Sequence, residues 1–228
     1  MKAIVYSSPQ YPEILQLQEV ATPVPKDNEV LIRIRATTAA ATNLQFRRSN
    51  TLRPIIPGQD LAGEIETVGR KVTRLKRGDP VMAWSGLGLG TYAEYTCLPE
   101  RGVLFMKPVN MTYEEAATVP VAGLDSAYLL RKANIQRGEK VLINGASGGV
   151  GTFAIQIAKA LGAEVIAVCK TRNVEQARRL GADQVIDYTK ADFTRSDQQY
   201  DLILDIAGSH SWRAYKRVLA PHANFVIV

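Results

Sequence analysis

The sequence predicts an α/β fold in two parts, a β-rich first half followed by an open, doubly wound parallel sheet. Three observations support this division. Residues 29–36 alternate between apolar and other side chains, as a half-buried strand does. From residue 140 onward, short apolar strands alternate with helical segments. A glycine-rich turn at residues 145–151 lies between the first of these strands and its helix.

Short strands separated by turns dominate the first half. In the strand at 29–36, Val30 and Ile32 share one face, while Arg33 and Arg35 share the other. Further strands, separated by glycine-containing turns, are predicted at 61–68, 80–84 and 91–98. This spacing indicates an irregular β barrel or sandwich.

The pattern changes near residue 110. Thr112 and Glu115 have the spacing of a capping box, in which each side chain accepts from the other residue's backbone N–H. The helix that follows is predicted to break around Pro120 and Gly123. After it, strands are predicted at 141–144, 164–169, 184–187, 201–205 and 224–228, with helices at 149–161, 173–180 and 212–219.

The composition is that of an ordinary globular protein. The 228 residues carry a net charge of +6 without a long basic tract, so we predict no nucleic-acid partner. No apolar run approaches about 20 residues, so we predict no membrane segment. Cys97 and Cys169 form no C-x-x-C pair, which favours a reducing, cytoplasmic location.

The glycine-rich turn has the features of a dinucleotide-binding site. Gly148 lets a pyrophosphate approach the backbone, and Gly151 lets the following helix pack closely on the strand. The first glycine of the usual G-x-G-x-x-G pattern is replaced by Ala146. The predicted cofactor-binding residues of this turn are Ala146, Ser147, Gly148, Gly149, Val150 and Gly151.

The end of the next strand favours NADPH. NAD enzymes usually place Asp or Glu there for the ribose 2′-hydroxyl, whereas this chain has Lys170, Thr171 and Arg172. Lys170 and Arg172 supply cationic donors for a 2′-phosphate, and Thr171 supplies a hydroxyl. Alternatively, one of the cations is only a solvated loop residue.

Together these motifs resemble the medium-chain dehydrogenase/reductase superfamily, specifically its zinc-lacking, quinone-oxidoreductase-like branch. Besides the glycine turn, the resemblance runs through residues 57–63, 68–69, 76–79, 90–95, 114–117, 180–183 and 185–188. It implies a GroES-like catalytic domain at 1–120 and a Rossmann domain at 121–228. It also implies a homodimer in the full-length form.

Further site residues are implied by the same resemblance. Asn43 would be a polar catalytic group near the nicotinamide, Ser126 would touch the nicotinamide end, and Tyr188 would contact the phosphate side of the cofactor. Alternatively, each is a structural polar group. Zinc-dependent relatives place Cys and His where this chain has Asn43 and Gln59, which are poor zinc ligands, so we predict no metal site. His210 and His222 are interpreted as surface or structural residues.

Chemistry without a metal requires an electrophilic substrate. The resemblance implies hydride transfer from NADPH to a quinone or an α,β-unsaturated carbonyl. Two alternatives stay open: a non-catalytic NADPH-binding sensor or scaffold, and an enoyl-thioester reductase. The second is disfavoured because residues 46–54 lack the tyrosine proton donor of that class, although Arg47, Arg48 and Arg53 could bind an anionic substrate.

The last residues, 224–228, form an apolar run typical of a central strand. Relatives continue beyond this point. We therefore expect the Rossmann domain to be incomplete, so that the chain is a fragment or is completed by another chain.

Overall fold

A computed structural model describes residues 1–6, 15–40 and 55–228. Asn43, Arg47, Arg48 and Arg53 lie outside the described residues. The chain divides into two compact units, Met1–Val121 and Ala122–Val228. In the described part of the chain, no helix is both long enough and apolar enough to span a membrane.

The first unit is built mainly from antiparallel strands. They are β1 (Lys2–Tyr6), β2 (Leu15–Glu19), β3 (Glu29–Thr37), β4 (Asp60–Val68), β5 (Pro80–Trp84), β6 (Tyr95–Pro99) and β7 (Val103–Met106). β1 pairs with β2, and the other five form a sheet in the order β6-β3-β4-β5-β7. The predicted strands at 61–68 and 80–84 are confirmed within one residue.

The core of this sheet follows the alternation seen in the sequence. Val30 and Ile32 of β3 are fully buried, and they pack with Leu61, Ile65, Val81, Ala83, Leu98 and Leu104. The prediction for 91–98 was too long, because the backbone of residues 91–94 is bound elsewhere. The Tyr92 N–H donates to the Pro57 carbonyl, and the Glu94 N–H donates to the Lys2 carbonyl.

Two helices come between the antiparallel and the parallel strands in chain order. Helix α1 (Tyr113–Ala117) starts at the predicted capping box, with both reciprocal hydrogen bonds of Thr112 and Glu115 present. Helix α2 (Ala122–Lys132) begins after Pro120. The predicted break is confirmed at Pro120, whereas Gly123 lies inside α2.

The second unit is a parallel sheet with helices between its strands. In chain order it contains β8 (Lys140–Asn144), α3 (Gly149–Ala160), β9 (Glu164–Cys169), α4 (Val174–Arg179), β10 (Gln184–Asp187), β11 (Tyr200–Asp205), α5 (Trp212–Val218) and β12 (Leu219–Ile227). Short 3₁₀ turns lie at Thr171–Asn173 and Phe193–Arg195. The predicted strand at 224–228 begins earlier, at Leu219, because that residue already pairs with Tyr200 of β11.

Both faces of the parallel sheet are covered. Val141 and Ile143 of β8 pack on one face, while Leu142 packs on the other. A strand buried on both faces appears in a sequence as a continuous apolar run, as β8 does. The strand order is β10-β9-β8-β11-β12, so the chain builds outward from β8 first in one direction and then in the other. The order reverses between β8 and β11, where a doubly wound sheet places its ligand crevice.

Candidate functional site

A cleft lies at the carboxyl edge of the parallel sheet, where the strand order reverses. Its volume is about 560 Å³. It is lined by residues that follow β8, β9, β10 and β11, including Gly145, Ser147, Cys169, Tyr188, Ser209 and His210. The four loops meet there because parallel strands place their carboxyl ends along one edge.

The glycine turn forms one side of this edge. Gly145 has a φ of +91°, which favours glycine. A Cβ on Gly151 would lie 2.4 Å from the Gly145 carbonyl oxygen, so only glycine allows α3 to approach the turn this closely. Gly148 precedes α3 in extended conformation and gives the helix no side-chain cap. The first N–H groups of α3 are therefore available to an anionic ligand, which the positive end of the helix dipole also favours.

The other predicted residues of the turn take different positions. Ala146 is fully buried, and its N–H donates to the Val168 carbonyl at 3.1 Å, which ties the turn to β9. Ser147 is half-buried and lines the cleft. Gly149 packs so closely on α2 that a Cβ would lie 3.3 Å from the Ala122 methyl group. Such a cradle fits a dinucleotide pyrophosphate.

Lys170 and Arg172 lie at the end of β9 and are exposed. Among the described residues, neither forms an ion pair with a carboxylate. Both cations are thus available to an anionic ligand, as the sequence analysis required.

Thr171 differs from the expectation that it would donate to a phosphate. Its hydroxyl donates to the Asp187 carboxylate at 2.6 Å. This bond, followed by those from Thr189, lowers the pKa of Asp187. Because a hydroxyl has one hydrogen, Thr171 can offer a ligand only an acceptor oxygen. Asp187 also places a negative charge close to the predicted phosphate site, offset in part by Lys190 at 3.9 Å.

Tyr188 and Cys169 complete this side of the cleft. Tyr188 is 56% exposed, and its backbone N–H donates to the Cys169 carbonyl at 3.1 Å. Cys169 is buried, and burial followed by the charge of Asp187 raises the pKa of its thiol. The thiol is therefore a neutral, apolar part of the cleft wall.

Ser126 is fully buried inside the second unit. Its hydroxyl oxygen lies 2.6 Å from the Ala122 carbonyl oxygen and 2.8 Å from the Val150 carbonyl oxygen. These contacts join α2 to the first turn of α3. Contact of Ser126 with the nicotinamide stays a prediction, as does the role of Asn43.

Sequence reasoning missed a polar group where the strand order reverses. Asn144 ends β8, and its amide nitrogen lies 2.9 Å from the Asp205 carboxylate at the end of β11. The same nitrogen lies 3.0 Å from the Ser209 hydroxyl and 3.2 Å from the Tyr215 hydroxyl. In the sequence, the signal for this group was the position of Asn144 and Asp205 at the ends of two apolar strands. The sequence did not show that these two strands, β8 and β11, are neighbours in the sheet.

In the first unit lies Gln59, which the family resemblance places where zinc-dependent relatives have His. It is nearly buried, and its amide donates to the Gly86 carbonyl at 3.2 Å. The neighbouring Asp60 accepts from the Val121 N–H and from the Thr38 hydroxyl, both at 3.0 Å. Within residues 1–6, 15–40 and 55–228, no group of three or more His, Cys, Asp or Glu residues could hold a metal ion.

Fold and cleft define a nucleotide-binding α/β protein with a separate β-rich domain. Residues 26–109 match the family model described as alcohol dehydrogenase GroES-like domain, and residues 149–228 match the model described as zinc-binding dehydrogenase. The quinone oxidoreductase of Pseudomonas syringae superposes with a TM-score of 0.89 at 30% identity. That alignment covers 100% of this chain and 75% of the other.

Curated relatives give the same result. The chain is 35% identical over 224 residues to 2-methylene-furan-3-one reductase of Solanum lycopersicum, which covers 91% of this chain and 57% of the relative. It is 33% identical over 223 residues to NADPH-dependent alkenal/one oxidoreductase, chloroplastic, of Arabidopsis thaliana, covering 91% and 58%. This chain therefore belongs to the medium-chain dehydrogenase/reductase superfamily, in its quinone-oxidoreductase-like branch. It spans less than two thirds of the length of these two relatives.

Proposed function

We propose that this chain binds NADPH and takes part in zinc-independent reduction of a quinone or an α,β-unsaturated carbonyl. The observation that carries the proposal is the cleft itself. An uncapped helix N-terminus lies at its edge, together with two cations that form no ion pair within the described part of the chain. The chain is similar to reductases of this substrate class. Bound NADPH would supply a hydride.

The chain's own residues would bind the cofactor by charge and shape. The first N–H groups of α3 would hold the pyrophosphate, because Gly148 leaves its surface free of a side chain. Lys170 and Arg172 would bind the 2′-phosphate, with Tyr188 beside them. The uncharged wall at Cys169 would exclude water from the bound nucleotide.

A quinone or an enone can be reduced without a metal because its carbonyl already draws electrons from the carbon that accepts the hydride. Negative charge then develops on the carbonyl oxygen, where a hydrogen-bond donor stabilises it. In this proposal Asn43 is that donor and Ser126 positions the nicotinamide end, as the family resemblance implies. One proton from solvent or a side chain balances the reaction, giving the hydroquinone or the saturated carbonyl.

The test combines cofactor binding with turnover. NADPH is titrated into the purified chain by fluorescence, and loss of the reduced-nicotinamide absorbance is then followed with a panel of quinones and enones. Tighter binding of NADPH than of NADH, together with turnover, supports the proposal. Binding without turnover by the full-length protein supports a sensor instead, and failure to bind either nucleotide overturns both.

Assembly and location belong to the same proposal. We expect the full-length protein to form a homodimer, which sedimentation velocity would detect. Cys97 and Cys169 are both free thiols, which is compatible with a reducing compartment such as the cytoplasm. Imaging of a tagged full-length protein would test the location.

A further inference from the structure

A series of hydrogen-bonded polar side chains lines the cleft from Asn144, at the end of β8, to Asp192, in the turn before β11. The Asn144 amide lies 3.0 Å from the Ser209 hydroxyl, which lies 2.8 Å from Nδ1 of His210. On the other side of the ring, Nε2 lies 3.2 Å from the Asp192 carboxylate. Asn144, Ser209, His210 and Asp192 all line the cleft.

The hydrogen atoms of this series have one consistent direction when His210 is neutral. Asn144 donates to Ser209, since an amide nitrogen has no acceptor capacity. Ser209 then donates its single hydrogen to Nδ1 of His210, and Nε2–H donates to Asp192. Toward the cleft, the Ser209 oxygen is left with acceptor capacity only.

Protonation of His210 reverses one bond. Nδ1 then carries a hydrogen and donates to the Ser209 oxygen, which releases the Ser209 hydrogen to point toward the cleft. The cleft gains a hydroxyl donor and a positive charge at the same time. Both favour the phosphoryl oxygens of a dinucleotide.

The surroundings of His210 can hold the imidazolium in place. Its side chain is 25% exposed, and it packs edge-on against Phe193 at 4.9 Å and Tyr215 at 5.8 Å between ring centroids. Asp192 is the facing carboxylate. The Thr194 hydroxyl, followed by the Thr194 N–H and the charges of His210 and Arg195, lowers the pKa of Asp192.

Other titratable groups near His210 are weaker influences. Arg195 contacts Asp192 at 3.4 Å and competes for its charge. Burial raises the pKa of the Tyr215 hydroxyl, which stays neutral. Asp205 is linked to Ser209 through Asn144 and through the Tyr215 hydroxyl. Cys169 and Tyr188 also line the cleft.

We propose that Ser209 binds the dinucleotide directly, and that His210 and Asp192 are positioning residues that set whether Ser209 donates or accepts. This assignment rests on the proposed function and extends it. We expect the dinucleotide to bind more tightly to the form of the protein in which His210 carries a proton on both ring nitrogens. His210, which the sequence analysis interpreted as a surface or structural residue, is part of the binding machinery.

The decisive experiment measures the dissociation constants of NADH and NADPH for the intact chain between about pH 8 and about pH 6, the range in which imidazoles titrate. NADH gives the cleaner result because the 2′-phosphate of NADPH titrates near pH 6 itself. We expect NADH to bind about fivefold more tightly at the lower pH, the size of one added charge near an anion in a partly exposed site.

Two histidine variants show whether the increase in NADH affinity at lower pH comes from His210 or from a general effect of pH on the protein. His210→Gln should lose the increase in NADH affinity between about pH 8 and about pH 6. His222→Asn is the matched control, because His222 is the chain's other histidine, is exposed, and has a φ of +66° that asparagine tolerates. It should keep the increase.

Two further variants keep the proposal falsifiable if His210→Gln does not fold. Asp192→Asn removes the carboxylate beside Nε2 of His210 and should reduce the difference in NADH affinity between about pH 6 and about pH 8. Ser209→Ala should weaken NADH binding more at about pH 6 than at about pH 8. A wild-type affinity that is flat with pH, a slope retained in His210→Gln, or unchanged binding by Ser209→Ala overturns the inference. Absence of wild-type binding at every pH would instead overturn the proposed function.

Discussion

In the proposed function, cofactor preference depends most directly on Arg172. It is exposed at the end of β9 and, within the described chain, is not engaged in an ion pair. Arg172→Asp would replace a cation by an anion near the 2′-phosphate. We expect the preference for NADPH over NADH to fall at least tenfold, measured as the ratio of the two dissociation constants.

Arg179→Asp is the control for this change. Arg179 is also exposed but lies in the last turn of α4. Arg179→Asp alters the net charge of the chain by the same amount as Arg172→Asp. Its ratio of the NADPH and NADH dissociation constants should stay near the wild-type value. Equal ratios for Arg172→Asp and the wild type would remove Arg172 from the cofactor site.

Asp187, on the neighbouring strand, would oppose the same proposed phosphate. It takes the hydrogen of Thr171 and adds a negative charge beside the cations. Asp187→Asn removes the charge, and we expect NADPH to bind about threefold more tightly while NADH changes less. Asp197→Asn, at an exposed position in the loop before β11, is the matched control. A weaker NADPH complex in Asp187→Asn would show that Asp187 supports the site rather than opposing it.

At the scale of elements, the strand-turn-helix unit of β8 and α3 makes two different demands on its glycines. Gly151→Ala would press a methyl group into the backbone of Gly145 and Ala146, so we expect a loss of about 1–3 kcal/mol in unfolding free energy. Gly148→Ala meets only an ordinary contact at 3.5 Å and has a φ of −80°. It should change stability by less than about 1 kcal/mol.

The same pair separates packing from ligand approach. The methyl group of Gly148→Ala would occupy the surface that faces the pyrophosphate, so dinucleotide affinity should fall about tenfold although stability is kept. Denaturant unfolding and nucleotide titration on both variants provide the measurements. Wild-type affinity in Gly148→Ala would exclude a pyrophosphate from this surface.

At the scale of the whole molecule, each compact unit has its own hydrophobic core. The first is centred on β3 and β4, and the second lies on the two faces of the parallel sheet. Since the cleft belongs to the second unit, we expect calorimetry to show two transitions, of which saturating NADPH raises only one. At about 100 times the dissociation constant the stabilisation is about 2.7 kcal/mol, or a shift of about 10 °C for a domain of this size.

A capping variant identifies the other transition. Thr112→Ala breaks the capping box of α1, whose Ala116 and Ala117 pack against Ala62 in the first unit. It should lower the transition of that unit by about 1 kcal/mol in free energy and leave the NADPH-sensitive one in place. A single transition that responds to both changes would mean that the two units unfold cooperatively.

The sequence by itself determined the elements and the local part of the site. The apolar run of β8, the capping box at Thr112, and the glycines at 145, 148 and 151 are visible in the sequence because near neighbours along the chain fix backbone conformation. Lys170 and Arg172 were predicted to bind a phosphate from their distance from the turn, and this role remains a prediction. The sequence also placed Asn43 and Ser126 through the family resemblance, where they remain predictions.

Only the tertiary structure decided which of these groups meet. Asn144 and Asp205 are 61 residues apart and touch because the sheet places β11 beside β8. Asp187 takes the hydrogen of Thr171 because β10 lies next to β9. The series from Asn144 through Ser209 and His210 to Asp192 arises in the same way. The physical reason is that these partners are far apart in the sequence and meet only when the strands take their places in the sheet. The local sequence pattern does not encode the order of the strands.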